Sequence, residues 1–384
     1  MGGTLMSQWK VVRRCYNCGA ILQSEDPNAE GYVEAVVLEK TPVSMPIFCF
    51  KCGTESQYNF GPKRLHASEE YLDMIRDARA SDALIIYLVN LFSFESSFIP
   101  EITELLRGLK IMVVANKRDL FPKKADDPHL QEYVAHRFRV AGIRMQAEDV
   151  TLVSSLSTTA DISSIINAYS EKRQGHDIYI IGATGAGKTH FITACLRGYK
   201  NKSRYAVQTA PYPGTKLRVM QIPLDNSSKI YDTPGTPIDN SMLAILDNKN
   251  SNIAIPQESI TKRSFSLGVG ESILLGGVAM IQLVGGKRSS INAYFARPVT
   301  LKPVMKNAEA ALLKGIAKET LRPISEKVQS MDDFDIFDIA VDEEGSRDIG
   351  IEGLGWINFT GQKQTFRVYA PKGISIYTTR AKLL

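Results

Sequence analysis

The sequence predicts an α/β protein on a parallel sheet, followed by a β-rich domain, and three observations predict it. Branched apolar runs at Ala83–Asn90, Ile111–Ala115, Thr151–Ser154 and Ile178–Ile181 alternate with helical stretches near 99–108, 129–141 and 162–173. That alternation is the pattern of buried parallel strands joined by crossover helices. The fourth run leads into Gly-Ala-Thr-Gly-Ala-Gly-Lys-Thr at 182–189, after which a helical pattern resumes at Thr189–Arg197. Beyond about Asn252 the texture changes, and residues 258–301 and 349–384 alternate apolar and polar positions between glycines. Period-two alternation with glycine punctuation reads as strands and turns.

At 384 residues the chain has room for two or three cores. Residues 1–66 hold four of the five cysteines as Cys15-x-x-Cys18 and Cys49-x-x-Cys52, each pair followed by glycine (Gly19, Gly53). Such a segment has too little apolar content for a core of its own and needs a staple. Four thiolates in this spacing suit a structural tetrahedral Zn²⁺; an iron–sulfur cluster or redox pairs are the alternatives. Cys195, alone in an apolar stretch, reads as a small buried residue. Residues 68–79 turn helical. Leu217–Leu224 and Lys229–Asp232 read as a hairpin around a polar turn, and residues 239–252 as a linker. A helical insertion is expected at Asn307–Leu321, with the acidic stretch Asp332–Glu344 exposed ahead of the last strands. The expected domains are 1–66, 67–250 and 251–384. Apolar residues make up 44%, charged ones 23%, and the net charge is +5. No stretch is apolar enough for a membrane helix, and the start of the chain does not read as a signal peptide, so a cytoplasmic protein with no membrane partner is expected. The mild basicity permits nucleic-acid contact.

The segment 182–189 fits the phosphate-cradling loop in its required strand-to-helix context. Gly182, Gly185 and Gly187 let backbone N–H groups, that of Ala186 among them, turn toward phosphate oxygens, and the helix N-terminus adds its positive end. Lys188 is placed to reach the β- and γ-phosphates, and Thr189 to offer its hydroxyl to Mg²⁺. Asn116-Lys117-Arg118-Asp119 follows the second run and fits N-K-x-D. Asp119 has the chemistry to accept two hydrogen bonds from guanine N1 and N2, a pair that adenine lacks. Asn116 is expected to tie this turn to the phosphate loop, and the Lys117 stem to cover the base. Ser154 and Ser155 close the third run, where a backbone N–H meets guanine O6. Asp232-Thr233-Pro234-Gly235 fits D-x-x-G: Asp232 for Mg²⁺, the Gly235 N–H for the γ-phosphate. Its plain alternative is an ordinary turn. GTPases ordinarily run phosphate loop first and base reader later. Here the base reader leads, which reads as a circularly permuted GTPase domain.

These motifs resemble the YqeH family of circularly permuted GTPases, bacterial assembly factors of the small ribosomal subunit. Besides the motifs above, the resemblance takes in Gly31-Tyr32-Val33, Phe94-Glu95-Ser96-Ser97-Phe98, Pro213-Gly214-Thr215, Tyr231–Gly235, Gly285-Gly286-Lys287-Arg288 and Gly353-Leu354-Gly355-Trp356. It implies an N-terminal zinc finger, a central permuted Ras-like P-loop GTPase domain using GTP/GDP, Mg²⁺ and Zn²⁺, and a C-terminal β domain for RNA or protein. The partner it implies is the small subunit or its rRNA, and a monomer is expected. Three positions depart from the family. Gly185 stands where relatives carry an asparagine linked to potassium-assisted hydrolysis. Pro213-Gly214-Thr215-Lys216 replaces Pro-Gly-Thr-Thr, so either Thr215 takes the Mg²⁺ role with a shifted backbone or that ligand is lost. Thr236 follows D-x-x-G where Ras-like enzymes place a glutamine. Slow intrinsic hydrolysis is therefore expected, with a nucleotide-gated RNA-binding scaffold as the second reading. An RNA-modifying enzyme finds no supporting motif. Lys262, Arg263, Lys287, Arg288 and Arg297 are candidates for phosphate contacts, and Tyr294 and Phe295 for base stacking; a solvated charged face over core aromatics is the alternative.

Overall fold

The computed structural model describes residues 20–41, 47, 49, 68–99, 102, 105–154, 165, 167, 169, 171–188, 190–193, 208–211, 218–225, 227–236, 238–341 and 344–383. Of the first segment it shows the helix Ala35–Lys40 and a small cluster of Leu22, Val33, Ile47 and Cys49. Cys15, Cys18 and Cys52 lie outside the described residues.

The helix Glu69–Ala80 begins where Ser68 accepts the Tyr71 amide (3.2 Å), with Glu69 and Glu70 at its positive end and Arg79 at its negative end. Its apolar stripe of Tyr71, Leu72, Met74, Ile75 and Ala78 packs on a sheet. That sheet contains β1 (Leu84–Asn90), β2 (Lys110–Asn116), β3 (Val150–Leu152), β4 (Ile178–Ile181), β5 (Gln208–Pro211), β6 (Arg218–Pro223) and β7 (Lys229–Asp232). Their spatial order is β3-β2-β1-β4-β7-β6-β5, parallel from β3 to β7 and antiparallel through β6 and β5. β1 is buried along its whole length, which is why its sequence is an unbroken apolar run. β5 had no counterpart in the sequence reading.

The order of the strands fixes where a ligand sits. From β1 the chain moves outward to β2 and β3, while β4 pairs with the other side of β1 and leads toward β7. The carboxyl ends of β1, β2, β4 and β7 therefore open on one edge, at Asn90, Asn116, Gly182 and Thr233, around the switch point between β1 and β4. Open α/β sheets hold ligands in that crevice.

The C-terminal part is a sandwich of two antiparallel sheets. One has the order β12-β9-β10-β16-β13, from β9 (Ser272–Leu275), β10 (Ala279–Gly285), β12 (Leu301–Val304), β13 (Phe334–Val341) and β16 (Gln364–Pro371). The other runs β17-β14-β15-β11-β8, from β8 (Arg263–Leu267), β11 (Ser289–Phe295), β14 (Gly345–Ile351), β15 (Gly355–Gly361) and β17 (Ile376–Arg380). Their facing sides share one core that includes Ile281, Ile291, Ile339, Ile349, Phe359 and Phe366. The helix Ala308–Ala317 covers the outer face of the first sheet through Leu312 and Ile316. Two stretches differ from the sequence reading. The acidic segment is itself edge strand β13, where Asp338 pairs with Arg367. The stretch read as a linker carries a 3₁₀ turn at Met242–Ala244 and the helix Asn248–Ala254, and Met242 is buried in the sandwich core.

Candidate functional site

The phosphate loop begins where β4 ends. Gly182 (φ +153°) runs so close to β1 that a Cβ would stand 2.5 Å from the Leu88 carbonyl oxygen. Lys188 folds back over the loop, its Nζ donating to the carbonyls of Gly182 (2.6 Å) and Ala183 (3.3 Å). Burial pulls its ammonium down to about 8, opposed by the charge of Asp232. Thr189 lies outside the described residues, as do Ser155 and the segment 212–217 with Thr215 and Lys216.

At the end of β7, Thr233 donates its hydroxyl to the Ile180 carbonyl (2.9 Å), fastening D-T-P-G to β4. Thr236 accepts the Thr184 amide (2.9 Å) through its carbonyl, so this turn lies directly against the phosphate loop. Gly235 has no room for a side chain: a Cβ would stand 2.9 Å from Thr184 Oγ1 and 3.1 Å from Lys188 Nζ. Among the described residues, Asp232 keeps one buried carboxylate oxygen, Oδ1, without a hydrogen-bond partner, and burial pushes its carboxyl up to about 6. A buried carboxylate oxygen with no donor, beside a phosphate loop, fits a divalent cation. Tyr71, which sequence reasoning missed, brings a buried hydroxyl beside Gly182, Thr233 and Asp232, and burial drives it up to about 12.

On the other side of β1, Asn116 joins the two motifs. Its side-chain Nδ2 donates to the Ala186 carbonyl (3.1 Å) and its Oδ1 accepts the Lys117 amide (2.7 Å). Gly187 (φ +96°) is required here, since a Cβ would stand 2.0 Å from Asn116 Nδ2. Lys117 adopts a left-handed conformation (φ +65°), which turns the chain into the short 3₁₀ turn Arg118–Leu120 that carries Asp119. Burial lowers the Lys117 ammonium, opposed by Asp119. The Arg118 amide donates to Val153 (3.0 Å), and the Val153 amide to Ala115 (2.9 Å), which brings Ser154 alongside the base reader.

The proposed nucleic-acid contacts fare differently. Tyr294 and Phe295 are buried, Tyr294 stacked on Trp356, because β11 turns both into the interior. Arg263 spends its guanidinium on the carbonyls of Val299 and Ala296, Arg288 pairs with Glu271, and Arg297 with Glu258. Lys262 and Lys287 are exposed.

A protein-family profile described as 50S ribosome-binding GTPase matches residues 177–266, so the chain carries a GTPase domain. The whole chain is similar to YqeH of Bacillus subtilis, 29% identical over 97% of this chain and 99% of that protein. It is also similar to NO-associated protein 1, chloroplastic/mitochondrial, of Arabidopsis thaliana, at 24% identity over 91% of this chain and 70% of the relative. Nitric oxide-associated protein 1 of Homo sapiens is 22% identical over 96% of this chain and 74% of its own length.

Proposed function

From the premise that this chain is a GTPase related along its whole length to YqeH, we propose that it is a GTP-hydrolysing factor for assembly of the small ribosomal subunit. The observation that carries guanine binding is Asn116, which bonds the base-reading turn to the phosphate loop from 70 residues away. We further infer that the GTPase domain is circularly permuted. Supporting this, the strand that ends in Asn116 precedes the strand of the phosphate loop in the chain, yet both flank β1 and pair parallel with it.

In this reading Asp119 and Lys117 select and cover guanine, with Asn116 and the Ser154–Ser155 backbone closing the base site. Gly182, Gly185, Ala186 and Gly187 offer amides to the phosphates. Lys188 exchanges its loop carbonyls for the β- and γ-phosphates. Thr189 and Asp232 hold Mg²⁺, which supplies charge neutralisation at the transferring phosphoryl group. Thr215 is the candidate third ligand. The Gly235 amide is the candidate sensor of the γ-phosphate. Cys15, Cys18, Cys49 and Cys52 hold one structural Zn²⁺ on the strength of their paired spacing alone; metal analysis should return one zinc per chain.

Thr236 at the glutamine position supports slow intrinsic turnover accelerated by a partner. Loss of the γ-phosphate is read out on the C-terminal sandwich, since the chain passes from Gly235 to Asn240, whose side chain bonds Ser375 (2.8 Å), within five residues. No described helix is long and apolar enough to cross a membrane; cytoplasmic residence and a monomeric state are part of the proposal. The test is co-sedimentation with 30S and 50S particles in GDP and in a non-hydrolysable GTP analogue, alongside single-turnover hydrolysis with and without particles. GTP-dependent binding to 30S with faster hydrolysis is the expected result. Preference for 50S, or equal binding in both nucleotides, overturns it. Nucleotide-gated binding without stimulated phosphate release establishes the scaffold reading instead.

A further inference from the structure

The guanine-reading turn is held from outside the GTPase sheet. Immediately after Asp119, the Leu120 carbonyl accepts the Ile260 amide (2.8 Å), and Phe121 is 1% exposed. The Phe121 ring stacks on Trp356 of the sandwich, with centroids 6.0 Å apart and planes 27° apart. On another side of the same indole lies Phe92 (5.5 Å), from the loop after β1, whose neighbour Leu91 donates its amide to the Asn116 carbonyl (3.1 Å). Trp356 therefore packs against both loops that flank Asn116.

The indole is held by packing. It is fully buried, its N–H finds no hydrogen-bond partner among the described residues, Tyr294 stacks on it at 5.3 Å, and the Lys382 ammonium stands 4.6 Å from its ring centroid. Two glycines set it in place. A Cβ on Gly355 (φ +147°) would stand 2.5 Å from the Tyr294 carbonyl oxygen, and one on Gly353 (φ +75°) 2.1 Å from Ser241 Oγ. The Gly353–Trp356 turn thus touches the segment after D-x-x-G at one end and the base reader at the other, with the Glu352 carbonyl accepting the Met242 amide (2.7 Å).

We propose that Trp356 is a positioning residue for guanine recognition: the C-terminal domain fixes the specificity turn through the Trp356–Phe121 stack and the Ile260–Leu120 bond. This rests on the reading of Asn116–Asp119 as the guanine site. A carboxylate selects guanine only if held at a fixed angle to N1 and N2, so loosening the flank of the turn weakens base recognition while leaving the phosphate loop intact. GTP and GDP share the base, and both lose affinity together.

The test uses the full-length protein and compares Trp356→Ala, Trp356→Phe, Phe121→Leu and Asp119→Asn. Affinities for GTP, GDP and ITP, whose hypoxanthine lacks the N2 amino group, are measured with hydrogen exchange at 116–121 and 182–188. Trp356→Ala should weaken GTP and GDP equally, by about tenfold. It should also narrow the GTP-over-ITP preference and speed exchange at the Arg118, Leu120 and Phe121 amides but not at Ala186. Trp356→Phe should restore most of each loss. Should Trp356→Ala not fold, Phe121→Leu, which keeps an apolar side chain and removes the stack, must show the same pattern. Wild-type affinity, preference and exchange in the folded variant overturn the proposal, as does a loss confined to GTP. If instead Asp119→Asn keeps the GTP-over-ITP preference, the guanine-site reading itself fails.

Discussion

The two corners of the nucleotide site are built on opposite principles. At the base corner the groups are matched within the protein: Asn116 is bonded at both ends of its amide, Arg118 bonds the carbonyls of Phe121, Pro122 and Ala125, and the sandwich packs behind Phe121. At the phosphate corner buried polarity is left uncompensated: among the described residues Asp232 Oδ1 and Thr236 Oγ1 have no hydrogen-bond partner, the Tyr71 hydroxyl has none of good geometry though it faces Thr233 and Gly182, and Lys188 is held against two carbonyls with a lowered ammonium pKa. A matched corner is rigid before ligand arrives and so gives specificity. An unmatched one stores desolvation cost that an anion and a cation relieve, so its binding energy is available to act on conformation.

The largest effect that would break this contrast lies at Lys188. Lys188→Ala removes the one buried ammonium of the loop, and single-turnover hydrolysis should fall by about 10²–10³-fold. GTP should suffer more than GDP, since in the proposed function the ammonium serves both the β- and γ-phosphates. Equal losses for the two nucleotides, in parallel titrations, would mean that the phosphate corner does not discriminate them through this residue.

At the base corner the matching effect is smaller and has the other signature. Asp119→Asn loses a charge-assisted pair and should cost about 10–100-fold in affinity, the same for GTP and GDP. Gly187→Ala tests the joint between the corners. Its Cβ collides with Asn116 Nδ2, so both nucleotides should weaken although the Lys188 and Asp119 side chains are untouched. Calorimetric titration of each nucleotide separates these outcomes.

Sequence reasoning reached the two corners unequally, for physical reasons. β1, β2 and β4 were legible because strands buried on both faces must be unbroken apolar runs, and the motif residues follow them directly. A tie from Asn116 to the phosphate loop is expected from the two motifs, although not the atom it uses, the Ala186 carbonyl. The Trp356–Phe121 stack is not expected, since no local period connects residues 235 positions apart, and glycines beside a tryptophan read simply as a turn. The stretch 239–252 reads as part of a linker, yet Met242 is buried in the sandwich core and Ile245, Leu246 and Ile253 pack against it. Arg263 looked available for RNA because exposure was inferred from charge; its guanidinium closes backbone carbonyls instead.

Two buried groups behind the base corner break the rule of matched polarity, the Trp356 N–H and Glu352, and the carboxyl supplies the smallest prediction. Glu352 is 2% exposed, and among the described residues neither carboxylate oxygen has a hydrogen-bond partner of good geometry, Ser96 being the donor that faces it. Burial pushes its carboxyl up to about 7, and that of Asp348 nearby, which accepts from the Lys382 amide and Asn358, up to about 6. A carboxyl raised above its unfolded value of about 4 contributes stability that is complete below that value. The contribution is lost as pH rises through the folded value, so these two groups make the protein less stable between about pH 4 and 7 as it becomes more alkaline. Glu352→Gln keeps the shape and removes the buried charge. At pH 8 it should raise stability by about 1 kcal/mol, and at pH 5, where the carboxyl is already protonated in the folded chain, the gain should shrink. Denaturant melts of both proteins at the two pH values measure this. A gain of equal size at both would mean that burial does not raise the Glu352 carboxyl, which would then titrate in the folded chain as it does in the unfolded one.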